Sequence, residues 1–143
     1  MPEILEFKIG KQKLAFDVDS VEMVIEYPKV TPVPGAPNFV KGVINLRGRI
    51  VTLVKLDEML DLDKGEEEFG QVLVLNIGGE EVGIPVHSVD EVLMVDENEI
   101  ETPVSQHEKY ANKVKGIVKK EDRLIMYLDV RKILNLENKE QEG

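Results

Sequence analysis

The side chains that could do chemistry are few, and their spacing does not suit it. His87 and His107 are the only imidazoles, they lack the HxH or HxxxH spacing of a metal pair, and the chain has no cysteine to complete a zinc set. His87 is expected to be a polar cap at the turn into a helix, and His107 a solvated side chain in an insertion. The run Glu66-Glu67-Glu68 lacks the alternating ligands of a calcium loop and reads as a solvated linker. Gly78-Gly79 has neither the GxGxxG spacing nor the lysine of a phosphate cradle, which leaves a hairpin turn. Asp57 and Asp61 are expected on one face of a short helix, where acids near the start complement the helix dipole. No nucleophile, base and orienter fall together. The sequence therefore assigns no catalytic residue, no metal ligand and no cofactor, and the chain does not read as an enzyme.

The elements that would position any site are set by an internal repeat. Ile9-Gly10, Leu14, Phe16, Val18, Ser20-Val21 and Val24-Ile25 recur 68 positions on, as Ile77-Gly78, Val82, Ile84, Val86, Ser88-Val89 and Val92-Leu93. Gly42-Val43-Ile44, Arg49-Ile50, Leu56 and Leu60 recur 74 positions on, as Gly116-Ile117-Val118, Arg123-Leu124, Val130 and Leu134, so the second copy carries six more residues between its halves. One duplication of this length implies two small sibling units rather than a solenoid. The units are expected at about 5–65 and 70–136, within a single domain over 1–143, with the N-terminal strand shared between them. A chain of 143 residues is short for two independent cores, so the units should share apolar surface.

Within each unit the period of the apolar residues predicts short strands. Leu5, Phe7 and Ile9 alternate with Ile4, Glu6 and Lys8, and beyond Gly10-Lys11 Leu14, Phe16 and Val18 alternate with Ala15 and Asp17, which reads as a hairpin. Asp19 or Ser20, with Glu22 in a capping box, is expected to start a helix whose face is Val21, Val24 and Ile25; Ser88 and Glu91 repeat the device before Val92 and Leu93. Pro28, Pro32, Pro34 and Pro37 rule out a helix there and leave an extended edge or loop. Two further hairpins turn at Arg47-Gly48 and Glu121-Asp122, and each unit should close on a short helix, over 57–62 and 130–136. The acidic stretch 63–70 is the expected junction, and 138–143 a frayed tail. So small a sheet would curl into a barrel to remove its edges.

Charge narrows the partners. Asp and Glu number 28 against 18 Lys and Arg, a net charge of −10, which disfavours nucleic acid and anionic lipid heads. No stretch reaches the roughly 18 apolar residues of a membrane span, so no direct membrane insertion is expected and a soluble cytoplasmic protein is the plain reading.

The segment TPVPGAPNFVKG from Thr31, followed by Gly42-Val43-Ile44-Asn45-Leu46-Arg47-Gly48 inside a duplicated unit, resembles the CheW family of bacterial chemotaxis coupling proteins. The resemblance runs from about Leu5 to Leu136. It implies a mainly β fold of two SH3-like five-stranded β-barrel subdomains with short helices. It also implies a cytoplasmic adaptor at membrane-associated receptor arrays, joining the cytoplasmic tips of methyl-accepting chemoreceptors to the regulatory domain of the histidine kinase CheA.

Carried over residue by residue, the family's receptor groove between the barrels matches Leu5, Val18, Val21, Val24 and Val89, and Gly42 and Arg47, counted with the receptor-binding residues, match positions whose alteration disturbs coupling. The kinase contact falls near Val30 and Val33. For Val21 and Val24 a buried core face would show the same spacing, and for Arg47 the plain alternative is a solvated turn charge. After NLRG the family pattern continues with Pro and, three later, Asp or Asn, where this chain has Thr52 and Lys55. Thr52 restores a backbone donor and Lys55 reverses a charge. Two other functions compete: a scaffold of the same fold serving a different two-component system, and a small enzyme with a site between the barrels, which would need convergent titratable groups there.

Overall fold

A computed structural model describes residues 1–102 and 113–134 of the chain. His107, the end of the helix expected to reach 136 and the tail at 138–143 fall outside the described residues. Four hairpins carry the architecture. They are β1 (Glu3–Ile9) with β2 (Gln12–Asp17), β4 (Val40–Leu46) with β5 (Arg49–Val54), β6 (Gln71–Ile77) with β7 (Glu80–Val86), and β10 (Val114–Lys120) with β11 (Arg123–Leu128). Their two-residue turns fall at Gly10-Lys11, Arg47-Gly48, Gly78-Gly79 and Glu121-Asp122, where the sequence places them. Arg47 and Gly48 both have positive φ, 52° and 86°, the twist that joins antiparallel strands without splaying them.

The repeats do not fold side by side. One sheet runs β8-β1-β2-β11-β10-β9 and the other β3-β6-β7-β5-β4, where β3 is Val21–Glu26, β8 is Ser88–Met94 and β9 is Ile100–Glu101. Each sheet thus takes a hairpin from both repeats, joined by a parallel pairing: Tyr127 opposite Ala15 in the first, Leu53 opposite Gly83 in the second. The sequence units at about 5–65 and 70–136 therefore do not coincide with the sheets. Fold class is as expected, mainly β with few short helices, and where two five-stranded barrels are expected there are two sheets, of six and five strands.

The core has three parts. Ile4, Ala15, Leu93, Val118 and Ile125 pack within the first sheet, and Ile44, Val51, Leu53, Val72 and Val74 within the second. Between them Leu5, Phe7, Leu14 and Phe16 of one sheet meet Leu73, Leu75, Ile84 and Val86 of the other, with the rings of Phe7 and Phe16 stacked at 5.0 Å. Apolar surface at roughly 25 cal/mol per Å² makes this shared seam the term that holds the sheets together.

Three expected features are corrected. No helix starts at Asp19 or Ser20: a 3-10 turn at Val18–Ser20 leads straight into β3, which pairs with β6 from Val21 opposite Leu75 to Glu26 opposite Gln71. Likewise Ser88 to Leu93 form β8, paired with β1. Apolar residues at 21, 24 and 25 fit a helical face, but β-branched valines beside an open strand edge gain a ladder of backbone bonds, and in β3 Val21 packs on the shared core while, past a bulge, Met23 and Ile25 pack on the core of the second sheet. His87, with no helix to cap, accepts the Gly10 N–H at Nδ1 (2.8 Å) and lies 2.9 Å from the Glu67 carbonyl through Nε2, tying the first turn to the 63–70 junction. Helix α1 is only Leu56–Met59; Asp61 lies past it at φ 54°, so Asp57 and Asp61 share no helical face. The helix over 130–134 is capped by Asp129, whose side chain accepts the Lys132 N–H.

Candidate functional site

The expected receptor-groove residues come from different strands but meet at one seam. Leu5 on β1 sits between Phe16 of β2 and Val92 of β8, and is a member of the shared core. Val18 in the 3-10 turn, Val21 at the start of β3 and Val89 at the start of β8 are half-buried against the same core. Val89 lies opposite Phe7, and its N–H is fixed by the Gln71 side chain at 2.9 Å. Val24 behaves differently. It lies opposite Leu73, on the face of β3 that the shared core residues occupy, yet at the sheet edge it is 38% exposed, so core burial does not account for it.

Gly42 and Arg47 belong to the β4–β5 hairpin, and the structure separates their roles. A Cβ on Gly42, at φ 152°, would stand 2.4 Å from the Thr31 carbonyl and 2.7 Å from Val30. Thr31 exchanges two backbone bonds with Val43, at 2.9 and 2.8 Å, so the proline-rich segment lies flat on β4 only because residue 42 has no side chain. Its counterpart Gly116 repeats this, with a Cβ 2.5 Å from Ile100. Arg47 occupies the hairpin tip, exposed, in a turn closed by the Gly48 N–H donating to Asn45 Oδ1 at 2.8 Å. Of the residues expected near the kinase contact, Val30 packs against the core of the second sheet and Val33 is 42% exposed. Thr52 lies in the interior strand β5, between Val43 and Val82; Lys55 pairs with Glu58 at 3.4 Å.

Two ion-pair networks flank the seam. Asp17 accepts a short hydrogen bond from the Tyr127 hydroxyl and a charged one from Lys115 Nζ at 2.6 Å, and Lys115 also lies 5.1 Å from the centre of the Tyr127 ring. Burial first, then the Asp17 bond, pushes the Tyr127 phenol up from its ordinary value. On the other side Arg49 grips Glu81 with two bonds, 2.8 and 2.7 Å, and lies 3.7 Å from Glu22, which also accepts from Asn76 at 3.1 Å. The Arg49 bond holds the Glu81 carboxyl below the ordinary range.

Sequence reasoning missed four exposed apolar side chains: Val92 and Met94 on the edge strand β8, Ile50 on β5 and Leu124 on β11. The duplication carried the signal, since Val92 is the counterpart of Val24 and Leu124 that of Ile50. The glutamate run 66–68 borders a surface cavity with Tyr27, Lys41, Lys64 and Phe69. Among the described residues no three His, Cys, Asp or Glu side chains converge as a metal site, and no helix is long and apolar enough to cross a membrane.

Comparison with known proteins matches this arrangement. The CheW-like domain family matches residues 3–138. A chemotaxis protein CheW from Thermotoga maritima is 47% identical over 133 residues, covering 92% of this chain and 87% of that protein. One from Bacillus subtilis is 29% identical over 138 residues, covering 95% and 88%. The crystal structure of the scaffolding protein TtCheW from Thermoanaerobacter tengcongensis superposes with a TM-score of 0.81 at 30% identity, covering 91% of this chain and 86% of that one.

Proposed function

Since the chain belongs to the CheW-like family, whose members are non-catalytic scaffolds and adaptors, we propose that it is a cytoplasmic chemotaxis adaptor that couples chemoreceptor tips to the histidine kinase CheA. The observation that carries this reading is the seam: Leu5, Val18, Val21 and Val89 line up where the two sheets meet, and Val24 and Val92 stand exposed on strands β3 and β8 at its two sides. An apolar furrow of this kind suits the apolar face of an amphipathic helix, and a receptor tip is a helical hairpin. Catalysis has no support from the residues there, which are mainly valines.

The proline-rich segment with Val33 lies on the second sheet and is free for another partner, which we assign to the regulatory domain of CheA, while the exposed Arg47 tip is assigned to the receptor. Membrane-associated receptor arrays are then the working location. The deciding experiment is a binding assay of the full chain against a chemoreceptor cytoplasmic hairpin fragment and a CheA regulatory domain from the same organism. Binding of both, simultaneously, is the expected result. Binding of neither overturns the reading in favour of a scaffold for another two-component system.

A further inference from the structure

The chain crosses between the sheets twice, and the two crossings are built differently. From β7 to β8 a single residue, His87, intervenes, and Val86 just before it is fully buried. From β2 to β3 the path takes a 3-10 turn, and Val18, the counterpart of Val86, is left half-buried on the seam beside Val21. A carboxylate stands at each end of that longer crossing, Asp17 before Val18 and Glu22 after Val21.

Both carboxylates are taken up by neighbouring strands. Asp17 is at the cap position of the turn but makes no side-chain capping bond; its two oxygens go to Tyr127 and Lys115, both on the β10–β11 hairpin of the first sheet. Glu22 has one oxygen on Asn76 at the end of β6 and the other 3.7 Å from Arg49, which Glu81 holds in place, all in the second sheet. The counterparts of Asp17 and Glu22 in the second repeat are Pro85 and Asp90, so no such arrangement recurs there.

We propose that Tyr127 and Lys115 from one sheet and Asn76 and Arg49 from the other are positioning residues that clamp the Asp17–Glu22 crossing and set how Val18 and Val21 are presented to the receptor. This rests on the receptor-binding reading of the seam. The groups act through Val18 and Val21 and need not touch the receptor themselves. Charged bonds between half-exposed side chains contribute little to stability, so their chief effect is on the geometry of the loop they hold.

The test uses the full chain, a chemoreceptor cytoplasmic hairpin fragment as one probe and a CheA regulatory domain as the other, with amide hydrogen exchange read separately. Lys115→Met with Tyr127→Phe, and independently Asn76→Ala, should speed exchange across residues 18–22. Each should weaken the receptor fragment about threefold to tenfold and leave the kinase domain bound as in the wild type. Added to Val18→Ala, the clamp variants should bring no further loss, and Lys115→Arg should behave as wild type. Where Tyr127→Phe lowers the melting temperature, Lys115→Met alone carries the test. Unchanged exchange at 18–22, a loss additive with Val18→Ala, or equal weakening of both probes would overturn the proposal. If the wild type binds neither probe, the coupling reading falls, and the exchange rates alone decide the clamp.

Discussion

Arg123 on β11 reaches across β2 to Glu6 on β1 and holds its carboxylate with Nε at 3.1 and Nη2 at 2.9 Å, while the Glu6 side chain is 2% exposed. The counterpart of Arg123 in the first repeat, Arg49, makes the same fork to Glu81, but there the arginine side chain is 50% exposed and the acid 15%. One duplicated arginine therefore serves two different ends. In the first sheet it neutralises a buried acid; in the second it braces a surface.

Arg123→Met should consequently destabilise the protein, because it leaves the buried Glu6 carboxylate with only the longer Lys13 contact at 4.0 Å, whereas Arg49→Met should leave stability near the wild type. Restoring neutrality with Glu6→Gln in the Arg123→Met background should recover part of the loss. Chemical denaturation of the four proteins side by side checks the ranking; equal effects of the two arginine variants would contradict it.

Much of the fold was legible because turns and repeats are local signals. Gly10-Lys11, Arg47-Gly48 and Gly78-Gly79 mark hairpins from sequence alone, and the repeat offsets predict which elements correspond. The exchange of hairpins was not legible, since the parallel pairings of Tyr127 with Ala15 and Leu53 with Gly83 join residues far apart in the chain. The 21–25 helix failed for a related reason: three apolar residues fit both periods, and the edge of β6 that decides between them lies some fifty residues on. Of the site, Leu5, Val18, Val21 and Val89 were reached through family resemblance and do converge. Gly42 matches a coupling position through the resemblance, although the reason for a glycine there is the backbone of Thr31.

Gly42→Ala should accordingly act on folding before it acts on partners. The added methyl meets the Thr31 carbonyl at 2.4 Å, so the proline-rich segment must lift from β4, at a cost of about 1–3 kcal/mol. Loss of the Thr31–Val43 backbone bonds, read by amide exchange, should accompany the fall in melting temperature. A variant with normal stability and impaired coupling would show that Gly42 is a contact.

Val21 and Val24 call for different probes. Val21→Asp places a charge against the shared core and should cost several kcal/mol, which makes it a poor test of binding. Val24→Asp and Val92→Asp change exposed side chains at the strand edges, so stability should move by about half a kcal/mol or less while receptor binding is lost. Thermal unfolding and receptor-fragment binding measured on the same samples decide this. Folded variants that still bind would remove both strand edges from the receptor surface.

The Tyr127 phenol gives a signature at high pH. Burial and its bond to Asp17 favour the protonated form in the folded protein, so its folded pKa lies above the ordinary value of 10.0. A raised pKa contributes stability that is fully present below the unfolded value and is lost as pH climbs above about 10 toward the folded one. Stability measured from neutral pH through about pH 11 should therefore decline at the alkaline end, and in Tyr127→Phe that part of the decline should disappear. The phenolate absorption of the wild type minus that of Tyr127→Phe isolates this group from Tyr27, whose pKa is also raised by burial. A difference signal appearing at the ordinary tyrosine pH would mean that the hydroxyl is not held by Asp17. The β10–β11 hairpin would then have Lys115 alone to anchor the crossing.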